Sequence, residues 1–335
     1  MKALKSTFIL TLVLILLAMP LTSCTDSSLK STEDDLRTVM TIAGYDVPYE
    51  QFRYFLMNYK AQIDGGNESV WLGDDAEEYI KKLDGYVVDA LRGLYAVLDI
   101  CKDYGINITD KDIQAAVDMT VEDTIISYDG KNKGHKKYAA GLAANYMNDA
   151  VYRFIVGVDL CEAALYTKLI ELGEIDDSDE AALANINGED FIRTIQILVK
   201  NDPKDDIEEN RKAAEDLLAR IKNGEDFDSL IVKYSEDLSM TPDGYYSTRL
   251  ELIEEYEKAA YELEIGEVSE VVESHVGFHI IKRLEKEADY IEKNFASLKT
   301  QYLTSAFYRM IEKEKALLDV EKTELYISFT VENME

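Results

Sequence analysis

The 335 residues are 47% apolar, enough for the cores of roughly two domains, and 66 acidic against 36 basic side chains leave a net charge of −30. That excess repels phosphate backbones and anionic lipid, which argues against nucleic acid as a partner and favours solubility. Three histidines and three cysteines stand at no metal-ligand spacing, so neither a metal nor another cofactor is expected.

Lys2 and Lys5 precede an apolar run over residues 8–19 that only Thr11 interrupts, and Leu21-Thr22-Ser23-Cys24 follows. A positive start, a short apolar core and small residues before a cut site are the layout of a secretory signal. The run is too short for a comfortable membrane span. The tetrad resembles the bacterial lipobox, whose cysteine is acylated and becomes the mature N-terminus. The expectation is a signal peptide over residues 1–23, lipidation at Cys24, and a flexible tether over residues 24–36. The chain is therefore expected on the extracytoplasmic face of the cell membrane, held by lipid.

Residues 37–188 read as a helical module after a short β-prone start at 37–43. Gly44-Tyr45-Asp46 has turn composition, and Val47-Pro48 leads into a helix reaching Lys60. Gly65-Gly66-Asn67 breaks that helix. Asp74 and Asp75 can cap a long one ending near Gly105, and Thr109 with Asp112 has capping-box spacing for the next. Helical periodicity continues over 136–172, and Ser178 can cap one more short helix. Cys101 and Cys161 lie inside apolar helical patterns, where they either pair or stay buried as thiols. Aromatic residues such as Phe52, Tyr54, Tyr59, Tyr86, Tyr95 and Tyr152 sit at helical spacing. They read as core packing, with an apolar cleft for unfolded polypeptide as the functional alternative.

The period changes near Phe191. Residues 192–199 have a buried-strand pattern, 208–222 an amphipathic helix, and 227–234 a shorter one before a polar loop through Tyr246. Residues 250–263 read as helix, and 266–272 and 278–284 as strands around Gly277. The predicted order is β-α-α-α-β-β. Residues 288–318 return to an amphipathic helix, and 325–331 alternate like an edge strand. The fold class expected is α+β: a helix-rich discontinuous domain, residues 37–188 with 288–335, into which a small antiparallel sheet flanked by helices is inserted over 189–287. The last strand is expected beside the strand at Val39.

The insert resembles the parvulin (PpiC-type) peptidyl-prolyl isomerases. The pieces that carry the likeness come in order: Thr194-Ile195-Gln196-Ile197-Leu198-Val199, Lys222-Asn223-Gly224-Glu225-Asp226-Phe227, Tyr234-Ser235-Glu236-Asp237, Tyr256-Glu257-Lys258-Ala259-Ala260-Tyr261, Gly266-Glu267-Val268-Ser269 and Gly277-Phe278-His279-Ile280-Ile281-Lys282. The layout as a whole is similar to foldases of the PrsA/SurA class, which would make the helical flanks a chaperone domain.

That resemblance implies where the chemistry lies. His279 matches the family's second histidine, Asp237 its Cys-or-Asp position and Ser274 its hydroxyl residue, while Gln196 stands in place of the first histidine. Leu252 and Tyr256 would line the proline pocket, with Tyr246 as a third wall. Glutamine hydrogen-bonds but does not titrate. The family's Gly-Gly-Asp-Leu-Gly loop is reduced here to Pro242-Asp243-Gly244-Tyr245-Tyr246. The implied activity is peptidyl-prolyl cis–trans isomerisation during folding of exported proteins, with unfolded or partly folded exported chains as partners. The alternative is a non-enzymatic holdase with a degenerate isomerase domain. Neither a monomer nor a homodimer is singled out by the sequence.

Overall fold

A computed structural model describes residues 37–73, 75–131, 135–201 and 206–328. The expected signal peptide, Cys24 and the tether lie outside the described residues, as do Asp74, Pro203 and the end of the expected strand at 325–331. The described residues divide into two compact units: those up to Glu171 with those from Ile311, and those between Leu172 and Met310.

In the first unit β1 (Thr38–Ile42) and β2 (Tyr45–Pro48) pair antiparallel around Ala43-Gly44. Both turn residues have positive φ, the two-residue hairpin geometry that matches strand twist. The turn therefore comes earlier than its composition predicts, and Tyr45 and Asp46 belong to a strand. Pro48, in extended conformation, directly precedes α1 (Tyr49–Asp64), which ends at Gly65 in the left-handed region. α2 (Ala76–Asp103) buries Leu83, Val87, Leu91, Tyr95, Leu98 and Cys101, an i, i+4, i+3 stripe. α3 (Lys111–Asp129) starts after Asp110, not at the Thr109–Asp112 box, and Asp110 accepts from the Asn107 amide at 2.9 Å. α4 (Lys136–Ala144) and α5 (Asp149–Leu172) complete a core around Val117, Val121, Ile125, Tyr138, Tyr152 and Val156. Cys101 and Cys161 are buried free thiols, the Cys101 Sγ donating to the Cys161 carbonyl at 3.4 Å. Phe52, Tyr54, Tyr95, Tyr138 and Tyr152 are core, whereas Tyr86 is 42% exposed and pairs with the Tyr59 ring at 5.5 Å.

The second unit takes in residues 189–287 together with neighbouring helix on both sides. Its elements are α6 (Asp179–Asn187), capped by the Ser178 hydroxyl, β3 (Phe191–Lys200), α7 (Ile207–Lys222), α8 (Phe227–Tyr234), β4 (Tyr245–Thr248), α9 (Glu254–Glu262), β5 (Val272–Ser274) and β6 (Gly277–Leu284). The strands form one antiparallel sheet in the order β4-β3-β6-β5. β3 is an inner strand buried on both faces except at Lys200, and its buried residues include the polar Arg193, Thr194 and Gln196 as well as apolar ones. On one face Ile195, Ile197, Val199, Phe278 and Ile280 pack against Ala214, Leu217 and Leu218 of α7 and Phe227 and Leu230 of α8. On the other, Ile192 and Ile281 pack against Tyr256 and Ala260 of α9 and Leu263. β4 corrects the expected order: Tyr245–Thr248 is an edge strand where a loop was predicted. The strand expected over 266–272 reduces to the single bridge Val268–Lys282 ahead of β5, and the helix expected from 250 starts only at Glu254, with Leu250 at φ +69° outside it.

α10 (Ala288–Leu317) begins in the second unit, where Ile291 and Leu298 pack with Ala182, Ile186 and Phe191. Its last turns belong to the first unit. There β7 (Val320–Lys322) pairs with β1, Ile42 opposite Val320 and Met40 opposite Lys322, in a sheet of order β2-β1-β7. A closing strand thus lies beside Val39's strand, as expected, but it comes before 325–331. Residues Glu324–Ser328 form a short helix, α11, whose Tyr326 hydroxyl donates to Asp84.

Candidate active site

Strand alternation decides what meets over the α9 face of the second sheet. Thr194 and Gln196 of β3 point there, and the register sets Leu198 opposite His279 and Gln196 opposite Ile281, so His279 of β6 shares that face. Val272 pairs with His279 in turn, which brings Ser274 of β5 alongside. Asp237 arrives from the loop after α8. Four of the sequence-predicted residues form one hydrogen-bonded chain: Ser274 Oγ lies 2.7 Å from His279 Nε2, His279 Nδ1 lies 2.7 Å from Gln196 Oε1, and Gln196 Nε2 donates to Asp237 Oδ2 at 2.6 Å.

The order of protons along this chain follows from the ends. A carboxylate only accepts, so Gln196 turns its NH2 to Asp237 and its oxygen to the ring. His279 Nδ1 must then be the donor, and in a neutral ring Nε2 accepts from the Ser274 hydroxyl. The ring is neutral because burial pushes the His279 pKa down to about 4, a desolvation that the charges of Asp237 and Glu255 offset only in part. For Asp237 burial works in the opposite direction and raises the pKa. Hydrogen bonds from Ser239, Tyr245 and Gln196 outweigh it and hold the carboxyl below its ordinary value.

Tyr256 is buried against this network, its hydroxyl donating to Thr194 Oγ1 at 3.0 Å and its ring meeting the His279 ring edge-on at 5.4 Å. Leu252 packs, partly buried, on the same apolar cluster. Tyr246 does not join them. It pairs with Arg193 in the β3–β4 register and therefore faces the opposite side of the sheet, stacked on Tyr290 at 3.9 Å and packed with Ile186 and Leu298. The tyrosine on the site's face is Tyr245, opposite Thr194, with its hydroxyl 2.7 Å from both Asp237 Oδ2 and Ser239 Oγ. Tyr245 and Ser239 are the residues that sequence reasoning missed. A two-residue period counted from Gly244, had β4 been recognised, would have separated the two tyrosines.

A family model described as the PPIC-type PPIase domain of the rotamases matches residues 195–285, which hold Gln196, Asp237, Tyr256, Ser274 and His279. The chain carries a PPIC-type rotamase domain. Similar proteins include the foldase protein PrsA of Geobacillus kaustophilus, 28% identical over 198 residues, which are 58% of this chain and 60% of the relative. The foldase protein PrsA of Caldanaerobacter subterraneus subsp. tengcongensis is 24% identical over 280 residues, 81% of this chain and 80% of its own. The chain thus spans less than two thirds of the length of the first of these relatives. A solved structure of peptidylprolyl isomerase PrsA from Bacillus anthracis aligns with 67% of this chain and 95% of its own at 19% identity and a TM-score of 0.36. Within the matched segment Gln196 of β3 and Tyr245 of β4 meet at Asp237 Oδ2.

Proposed function

We propose that this chain is a peptidyl-prolyl cis–trans isomerase and foldase, held through Cys24 on the extracytoplasmic face of the membrane, that acts on unfolded or partly folded exported polypeptides. The observation that carries the reading is the closed chain Ser274–His279–Gln196–Asp237 beside the buried Tyr256, inside the segment that matches the rotamase family. Rotation about an X–Pro bond faces a barrier of about 18–20 kcal/mol because it breaks amide resonance. No covalent step is needed to lower it. The site has to seat the pyrrolidine ring, exclude water and favour the twisted amide electrostatically. Leu252 and Tyr256 supply apolar surface for the ring, and the ionised Asp237 with the ordered dipoles of Gln196, His279 and Ser274 supplies a fixed field. Among the described residues no helix is long and apolar enough to cross a membrane. Residues 37–188 with 288–335 would hold the client, and the exposed Tyr86 ring against the half-buried Tyr59 suits that task.

The test is a protease-free X–Pro isomerisation assay on the protein lacking residues 1–24, with Asp237→Ala and His279→Ala beside it. Each substitution is expected to lower the rate by roughly tenfold or more while the fold persists. A second reading, a holdase whose rotamase domain no longer turns over, is favoured by Gln196 in place of histidine. It gains if the folded wild-type protein gives only the uncatalysed rate.

A further inference from the structure

Asp237 is crowded with donors. Oδ2 accepts from Gln196 Nε2 at 2.6 Å and from the Tyr245 hydroxyl at 2.7 Å. Oδ1 accepts from the Ser239 hydroxyl at 2.7 Å, the Ser239 amide at 3.0 Å and the Met240 amide at 3.2 Å. A carboxylate offers about four lone-pair sites, so these donors leave none for a substrate. Asp237 therefore acts on the reaction through its neighbours and its charge, not by touching the prolyl amide. The donors divide into two sets. Gln196 passes the influence of the carboxylate on to His279; Tyr245 and Ser239 come from the other side and hold the carboxylate in place.

Resting on the isomerase reading above, we propose that Tyr245 and Ser239 are positioning residues of the site. They fix the Asp237 carboxylate as the acceptor that orients Gln196, and Gln196 in turn fixes the ring and tautomer of His279. The two ends of a glutamine amide differ only in donating or accepting, and here the anion of Asp237 sorts them. The groups facing Asp237 are Gln196 from β3, Tyr245 from β4, Ser239 from its own loop, Tyr256 from α9 and His279 from β6. Within that set the hydroxyls of Tyr245 and Ser239 are the donors that a substitution removes without disturbing the sheet. Tyr245 lies on an edge strand, and the Ser239 contacts are exposed.

The experiment uses Tyr245→Phe, Ser239→Ala and the double variant in the protein lacking residues 1–24. Carboxyl-carbon NMR follows Asp237 against pH, ring-nitrogen NMR follows the tautomer of His279, and isomerisation of an X–Pro peptide is measured from pH 4.5 to 8. The titration midpoint of Asp237 is expected to rise in each single variant and further in the double. The His279 ring, a single Nδ1–H form in the wild type, is expected to become a mixture in the double variant. The isomerisation rate of the double variant is expected to fall severalfold further below wild type at pH 5 than at pH 8, with unchanged thermal unfolding at pH 8. Superimposable Asp237 titrations and an unchanged His279 tautomer would overturn the proposal whatever the rates do. A wild-type protein without activity would remove the isomerase reading instead, and the two NMR measurements would still decide whether Tyr245 and Ser239 set the state of Asp237 and His279.

Discussion

Gln196 has its amide nitrogen on an anion and its oxygen on a ring N–H, and that polarity runs through the whole site in one direction. The consequence at His279 is measurable in stability. Its folded-state pKa of about 4 lies below the ordinary histidine value of 6.5, so between those two pH values the unfolded chain binds a proton that the folded chain does not. Stability from this residue is present above pH 6.5 and is lost as pH falls toward 4, by about 3 kcal/mol in all. Urea unfolding at pH 7 and pH 4.5 is expected to show that His279→Gln, itself uncharged throughout, loses less stability over the interval than wild type. Equal losses would mean that the buried ring is protonated more easily than its surroundings imply. The resemblance to the parvulins is what made this site legible: Gln196, Asp237 and His279 lie inside the segments that carry it, and Ser274 lies between two of them. Tyr245 and Tyr246 are not separable in the sequence, because adjacent tyrosines in a four-residue strand give no clue to which one faces the site.

At the scale of elements, two features set the geometry that the site inherits. Gly277 opens β6 at φ +146°, and a Cβ there would lie 2.2 Å from the Val199 carbonyl oxygen. Gly277→Ala is expected to cost on the order of 3 kcal/mol, read by chemical denaturation, because both the backbone conformation and the close approach to β3 oppose a side chain. Lys286, just past the end of β6, donates its ammonium to the carbonyls of Ile186, Gly188 and Phe191 at 2.7, 2.5 and 2.7 Å. It thereby ties the end of α6 and the start of β3 to β6, a cation placed where a helix C-terminus favours one. Lys286→Met keeps the length of the stem and leaves these carbonyls without the ammonium. A loss of about 2 kcal/mol and faster amide exchange around residues 186–191 are expected, and unchanged exchange there would deny the clamp. Long periodic elements such as α2, β3, α7 and α10 were readable because their apolar spacing repeats many times. The short ones were not: β4, β5 and β7 have three or four residues each, and tertiary pairing, not pattern, makes them strands.

For the whole molecule, the discontinuous arrangement follows from pairing of β7 with β1, residues some 280 positions apart joined through Ile42–Val320. If the helical flanks hold the client, a chain in which residues 190–287 are replaced by a short Gly-Ser link is expected still to suppress aggregation of an unfolded protein, measured by light scattering. Loss of suppression in a folded variant would move client binding to the rotamase domain. One further consequence lies at the sheet margins. The outer strands of both sheets among the described residues, β4 and β5 in one and β2 and β7 in the other, are three or four residues long, and β2 carries Pro48, which has no N–H to offer. An unfolded chain seeking a β-partner finds only a few open peptide groups at each margin before the strand stops. Under the foldase reading, a protein that lives among sticky, half-made chains is thereby a poor seed for amyloid-like growth: it can hold them without becoming their template.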